Sequence, residues 1–140
     1  MEALRYLTDD ERERLLARAE ERSFASGEVV LAQGKPQDAI HLVTSGTVRA
    51  ERRAADGTVT VLDTLAEGEA FGQMSLLDGS ITSATIAADD PVTVAILDLA
   101  AVADLLEDDP RLAAHLYQSL AVMIARRLRD RTDGITSDGR

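Results

Sequence analysis

Between residues 29 and 98 the chain never stays apolar for long. Short apolar stretches, Val29–Leu31, Ile40–Val43, Thr47–Ala50, Val59–Leu62, Ile86–Ala87 and Val92–Leu97, are separated by Gly34, Gly46, Gly57, Gly68, Gly72 and Gly79. Pieces of this length suit strands rather than packed helices, and glycine at the breaks permits the positive-φ turns that reverse a chain. Asp56-Gly57, between Val48–Arg53 and Thr58–Leu62, is a strong hairpin signal, because a tight two-residue turn needs residues that tolerate positive φ. Many short strands at close spacing predict an antiparallel sandwich or barrel. The one helical interruption expected within this stretch is Gln73–Leu77.

The flanks carry a different period. Thr8 and Glu11 form a capping box ahead of Leu15, Leu16 and Ala19, predicting an N-terminal helix that ends near Arg22, with Phe24 packed beneath it. Asp98 can cap a short helix through Leu105 and Leu106. Asp108 or Asp109 followed by Pro110 starts a second, longer one, expected from Pro110 to Arg131. Its core stripe is Leu112, Leu116, Leu120, Met123 or Ile124, and Leu128. The basic run from Arg126 to Arg131 suits the negative end of the helix dipole and reads as a solvated end facing acidic neighbours.

With 140 residues, 45% hydrophobic and 29% charged, the chain is a soluble globular protein that can bury a core. One domain is expected over residues 1–133, with 134–140 as a flexible polar tail. The absence of cysteine excludes disulfides, thiolate metal sites and cysteine nucleophiles. Two histidines, His41 and His115, are too few for a histidine-rich metal site; each reads as structural or surface. The formal charge of -10 disfavours nucleic acid. Met1–Thr8 lacks the pattern of a secretory signal, and no run approaches the length of a membrane span; a cytoplasmic protein is expected. Neither a nucleophile elbow, nor a P-loop, nor a zinc-protease motif is present, so catalysis is not expected.

Two longer motifs sharpen the fold. The first is Asp38-Ala39-Ile40-His41-Leu42-Val43-Thr44-Ser45-Gly46-Thr47-Val48. The second runs Phe71-Gly72-Gln73-Met74-Ser75-Leu76-Leu77-Asp78-Gly79-Ser80-Ile81-Thr82-Ser83-Ala84-Thr85-Ile86. In this order, with a long helix after Pro110, they resemble the cyclic nucleotide-binding domain of the catabolite activator family, over about residues 5 to 131. The resemblance implies a mainly β fold with flanking helices: an antiparallel jelly-roll β-barrel, an N-terminal helix and two C-terminal helices. The second motif resembles the family's phosphate-binding cassette. The implied ligand-binding residues are Phe71, Gly72, Gln73, Met74, Ser75, Thr82, Ser83, Ala84 and Thr85, and the implied ligand is cyclic AMP or cyclic GMP. No metal and no required cofactor are implied.

The cassette departs from the family at two places. Gln73 stands where the family has a glutamate that accepts from the ribose hydroxyl; its amide oxygen can still accept. Thr82 stands where the family has an arginine that pairs with the cyclic phosphate. Replacing that charge-assisted contact by a neutral hydroxyl implies a loss of about ten- to several hundred-fold in affinity. Backbone N–H groups opening the Gln73–Leu77 turn and the hydroxyls of Ser83 and Thr85 are what remains to hold an anion.

The expectation is a non-catalytic regulatory module with weak or altered recognition of a nucleotide or other anion, passed to the C-terminal helices. The alternative is a ligand-free interaction or dimerisation scaffold. The long helix also carries Ala113, Tyr117, Ala121, Val122 and Ala125, a wider apolar surface than one small barrel needs, which points to a homodimer or a partner protein. DNA is not an expected partner, since no helix-turn-helix follows Arg131.

Overall fold

The structure is a computed structural model describing residues 1–34, 38–72 and 84–137, with side chains described to residue 130. A single turn at Glu2–Leu4 leads into α1 (Asp9–Leu16). Eight strands follow among the described residues: β1 (Glu20–Phe24), β2 (Val29–Leu31), β3 (Ala39–Ser45), β4 (Val48–Arg53), β5 (Val59–Leu65), β6 (Ala70–Phe71), β7 (Thr85–Ala88) and β8 (Val92–Asp98). Helices α2 (Leu99–Asp108) and α3 (Pro110–Ser137) complete the chain.

The strands form two four-stranded antiparallel sheets, in the orders β1-β8-β3-β6 and β2-β7-β4-β5. Their inner faces share one apolar cluster, with Val43, Phe71 and Val94 from the first sheet and Leu31, Val48, Leu65 and Ile86 from the second. The first sheet is buried on its other face as well. There Ile40, Leu42, Ala70 and Leu97 meet Leu4, Leu15, Val102, Leu112, Leu116 and Leu120 in a second cluster. Burial on both faces explains why β3 and β8 read as nearly continuous apolar runs.

The expected barrel is not closed. The edge strands β1 and β6 of one sheet do not pair with β2 and β5 of the other; the sheets meet through side chains, as in a sandwich.

Several local expectations hold. Thr8 accepts from the Glu11 N–H (3.1 Å) while the Glu11 carboxylate accepts from the Thr8 N–H (2.9 Å). Asp98 caps α2 through the Ala100 N–H (2.9 Å). Asp109, not Asp108, caps α3, accepting from the Leu112 N–H at 3.0 Å. The β4–β5 hairpin turns at Gly57, with φ +91°.

Others change. α1 stops at Leu16 instead of Arg22: the N–H groups of Arg18 and Ala19 bond back to the Leu15 and Leu16 carbonyls in tight turns, and Glu20–Phe24 pairs with β8 instead. Phe24 therefore packs on the inter-sheet cluster rather than beneath α1. α3 continues past Arg131 to Ser137. Leu128 is 58% exposed and does not belong to the buried stripe. The expected helical turn at Gln73–Leu77 lies outside the described residues.

Candidate functional site

The cassette begins at an edge. β6 is two residues long and, among the described residues, pairs only with β3, setting Phe71 opposite His41 and Ala70 opposite Leu42. Gly72 follows with φ +82°. A Cβ there would sit 2.8 Å from the Ala39 carbonyl and 3.3 Å from His41 Nδ1, so both conformation and space require glycine.

His41 stacks on Phe71 with ring centroids 5.0 Å apart. The residue is only 5% exposed, and its Nδ1 has no hydrogen-bond partner. Burial pushes the imidazole down to about 4; the nearby Ala39 carbonyl opposes this and the Arg22 charge reinforces it. The ring is neutral at pH 7 and forms the wall behind Gly72. It is a buried residue, not a surface one.

The cassette's far end lies on the other sheet. Ala84 is buried and leads into β7. Thr85 pairs in register with Glu51, next to the inward-facing pair Ala50 and Ile86. Alternation along a strand therefore puts Thr85 on the outer face with Glu51. Its hydroxyl accepts from the Gln33 N–H at 3.2 Å. Beside it the buried Glu51 receives Arg49 at 2.9 Å and Arg53. The Arg53 hydrogen bond, seconded by Arg49, holds its carboxyl below the usual range despite burial.

Phe71 and Gly72 thus close a strand of one sheet, and Ala84 and Thr85 open a strand of the other. Gln73, Met74, Ser75, Thr82 and Ser83 lie outside the described residues.

Helix α3 meets the near end of the cassette. Arg127 Nη2 donates to the Ala70 carbonyl and to Glu69 Oε2, both at 3.3 Å. Its Nε lies 3.9 Å from Asp63 Oδ2 on β5. One residue earlier in the basic run, Arg126 reaches Glu2 at 3.5 Å. Around these groups opens a cleft of about 620 Å³, lined by Met123, Thr64 and the acidic Glu2, Asp63, Glu69 and Asp130 together with the two arginines. Sequence reasoning took Arg127 for part of a solvated helix end and passed over Asp63 and Glu69. Their sequence signal is only that of charged residues near turns.

His115 does not stand alone on the helix surface. Its Nδ1 lies 2.7 Å from Glu11. Burial pushes the Glu11 carboxyl up, but hydrogen bonds from Thr8 and His115 outweigh it and leave the group below its ordinary value. Among the described residues no cluster of histidine and carboxylate could hold a metal ion, and no helix is long and apolar enough to cross a membrane.

The comparisons with known proteins agree with this geometry. The chain is 35% identical over 125 residues to the cyclic AMP receptor protein of Thermus thermophilus, covering 89% of this chain and 56% of that one. It is 28% identical over 115 residues to the CRP-like cAMP-activated global transcriptional regulator of Mycobacterium tuberculosis, covering 82% and 51%. The chain thus spans about half the length of these curated relatives. The crystal structure of the N-terminal domain of a transcriptional regulator from Streptomyces coelicolor A3(2) superposes with a TM-score of 0.76 at 29% identity, covering 100% of this chain and 96% of that one. The sequence model of the cyclic nucleotide-binding domain matches residues 21–109, from β1 to the cap of α3, and the chain belongs to that family.

Proposed function

We propose that this chain is a non-catalytic sensor module that takes a cyclic nucleotide, or another small anion, at the cassette from Phe71 to Thr85 and passes the event to α3. The observation that carries this reading is the bond from Arg127 to the Ala70 carbonyl, with Glu69 beside it. It ties the helix to Glu69 and Ala70, three and two residues before Gly72, so a ligand that shifts the cassette's start acts directly on the helix. Ligand binding favours one helix position only through such differential contacts. The names of the two bacterial relatives support a cyclic nucleotide as the ligand class.

With Gln73 and Thr82 in place of the family's glutamate and arginine, recognition is weaker than in the arginine-bearing mode. Backbone N–H groups, Ser83 and Ala84 are the remaining anion contacts. Thr85, whose hydroxyl is engaged by Gln33, serves the sheet.

Isothermal calorimetry with cyclic AMP and cyclic GMP up to millimolar concentration tests the proposal. Binding in the micromolar range supports it. The absence of both heat and a thermal shift at millimolar ligand would exclude both cyclic nucleotides and leave another anion or the scaffold role.

A second reading concerns assembly. Tyr117 and Leu128 on α3 are exposed, and Ala114, Ala121 and Ala125 beside them are small and exposed as well. This is the surface through which a homodimer or a partner protein would dock. Light scattering that finds only monomer at high micromolar concentration excludes the homodimer.

A further inference from the structure

At the far end of the cassette one side chain stands where a strand would pair. The β4–β7 ladder runs from Val48 opposite Ala88 to Glu51 opposite Thr85, and Thr85 is the first residue of β7. β4 continues to Arg53. In an antiparallel ladder alternate residues turn both N–H and C=O towards the same neighbour. Ala54 donates its N–H to the Thr58 carbonyl at 2.9 Å, across the β4–β5 turn, so Arg53 and Glu51 face the β7 side. Arg53 is thus the next residue after Glu51 to offer that side a donor and an acceptor.

Gln33 takes both. Its Oε1 accepts from the Arg53 N–H at 3.0 Å, and its Nε2 donates to the Arg53 carbonyl at 3.2 Å. Two opposed bonds to one residue are the pattern of a hydrogen-bonded strand pair, made here by a carboxamide. β7 itself places the amide, because the Gln33 N–H donates to the Thr85 hydroxyl at 3.2 Å. Arg53 is held at its other end as well, where its Nε donates to the buried Glu51 at 2.9 Å. Gln33 therefore bridges the ends of two neighbouring strands and fills the ladder slot beyond Thr85. The residue type matters: glutamate lacks the donor, lysine lacks the acceptor, and asparagine is one methylene short.

We propose that Gln33 is a positioning residue for the ligand site: by closing the β4–β7 ladder at Thr85 it sets the point at which the chain leaves the second sheet for the cassette. It acts through Arg53 and Thr85 rather than by contact with ligand. This rests on the cyclic nucleotide reading given above.

The test compares Gln33→Leu, which keeps the bulk and loses both polar atoms, with Gln33→Asn, which keeps the amide and loses the reach. Site-resolved hydrogen exchange on the ligand-free chain reads the clamp. Exchange at Arg53 and at Thr85–Ile86 rises about tenfold in both variants, while β8 is unchanged. Calorimetry with cyclic AMP and cyclic GMP reads the site. Both variants bind the nucleotide that the wild type takes about three- to tenfold more weakly, as the loss of modest hydrogen bonds implies. Ser23→Ala removes a hydroxyl bond to Thr93 (3.1 Å) on the other sheet; it controls for general loss of stability and keeps the wild-type affinity. Circular dichroism melting confirms that all three variants fold. Unchanged exchange at Arg53 overturns the clamp. Wild-type affinity in Gln33→Asn would mean that any amide suffices, and in Gln33→Leu that bulk suffices; either result overturns the positioning role and leaves the nucleotide reading standing. If the wild type binds neither nucleotide at millimolar concentration, the nucleotide reading fails and takes the ligand role of Gln33 with it, while exchange alone decides the clamp.

Discussion

From Pro110 to Ile124 the long helix packs on the core, whereas beyond Ile124 charged contacts tie it down. In the first half Leu112, Leu116, Leu120 and Met123 are buried against the first sheet and the N-terminal turn. Ser119 accepts the Tyr6 N–H at 2.9 Å, and His115 meets Glu11. In the second half Ile124 still packs partly on that cluster, and beyond it Arg126 meets Glu2 and Arg127 meets Asp63, Glu69 and the Ala70 carbonyl. Apolar burial is not weakened by ionic screening. Partly exposed ion pairs contribute about 0–1 kcal/mol each and are screened. The helix therefore has a fixed half and a detachable half, and the detachable half is the one that touches the cassette.

The largest effect expected from this contrast is a difference between two leucines on one helix. Leu116→Ala removes a side chain that is 1% exposed and lowers stability by about 2–5 kcal/mol. Leu128→Ala changes it by less than about 0.5 kcal/mol. Urea unfolding of both variants at low protein concentration measures the difference; equal losses would mean that the second half is also core.

Acid adds a second test, at a buried group outside α3. The folded His41 titrates near 4 and the unfolded one near 6.5. The unfolded chain thus binds the extra proton first as pH falls through this window. Stability is complete above about pH 6.5 and declines towards pH 4, by about 2 kcal/mol between pH 7 and pH 5. His41→Phe, stacking on Phe71, removes that slope. Glu11 acts later: its folded value is lowered, so its contribution is present above the ordinary carboxylate range and is lost as pH falls through the folded value. A flat wild-type stability between pH 7 and pH 5 would sink the assignment for His41.

The smallest effect in energy concerns the attachment itself. Arg127→Gln shifts global stability by less than about 1 kcal/mol, yet it accelerates amide exchange in residues 124–130 of α3. About 0.5 M salt does the same to the wild type, while residues 112–120 stay protected in both cases. Exchange in 124–130 that ignores both perturbations would show that the second half is held by something other than charge.

Much of the fold is legible in the sequence because its signals are local. Thr8 and Glu11, Asp98, and Pro110 after Asp109 each mark a helix start through chemistry within four residues. Asp56-Gly57 marks its hairpin in the same way. β1 was illegible because Glu20-Glu21-Arg22-Ser23 is an edge strand with exposed side chains. Its charges continue the helical pattern of α1, and only the distant β8 makes it a strand. β6 is too short to show any period. For the site, the glycine at position 72 and its aromatic neighbour could be read from the motif. Asp63 and Arg127 could not, since nothing local states that one turn of α3 lies over β5. The rotation of a helix about its axis is set by packing, which is also why Leu128 fits the heptad pattern yet faces outward.

The place of β8 in the first sheet has a kinetic consequence. It lies between β1 and β3, pairing Glu20 with Ile96 and Ile40 with Leu97. Neither early strand finds this neighbour until the chain has been made through residue 98. Loop closure over such separations is slow and precedes any gain from packing. On the ribosome β1 and β3 wait with open edges while β8 is still being added, and the same few residues that complete the sheet lead directly into the helices that cover it. Sheet and cover therefore form in one late step, and a nascent chain halted before Val92 exposes edge strands at the point of greatest risk of misassociation.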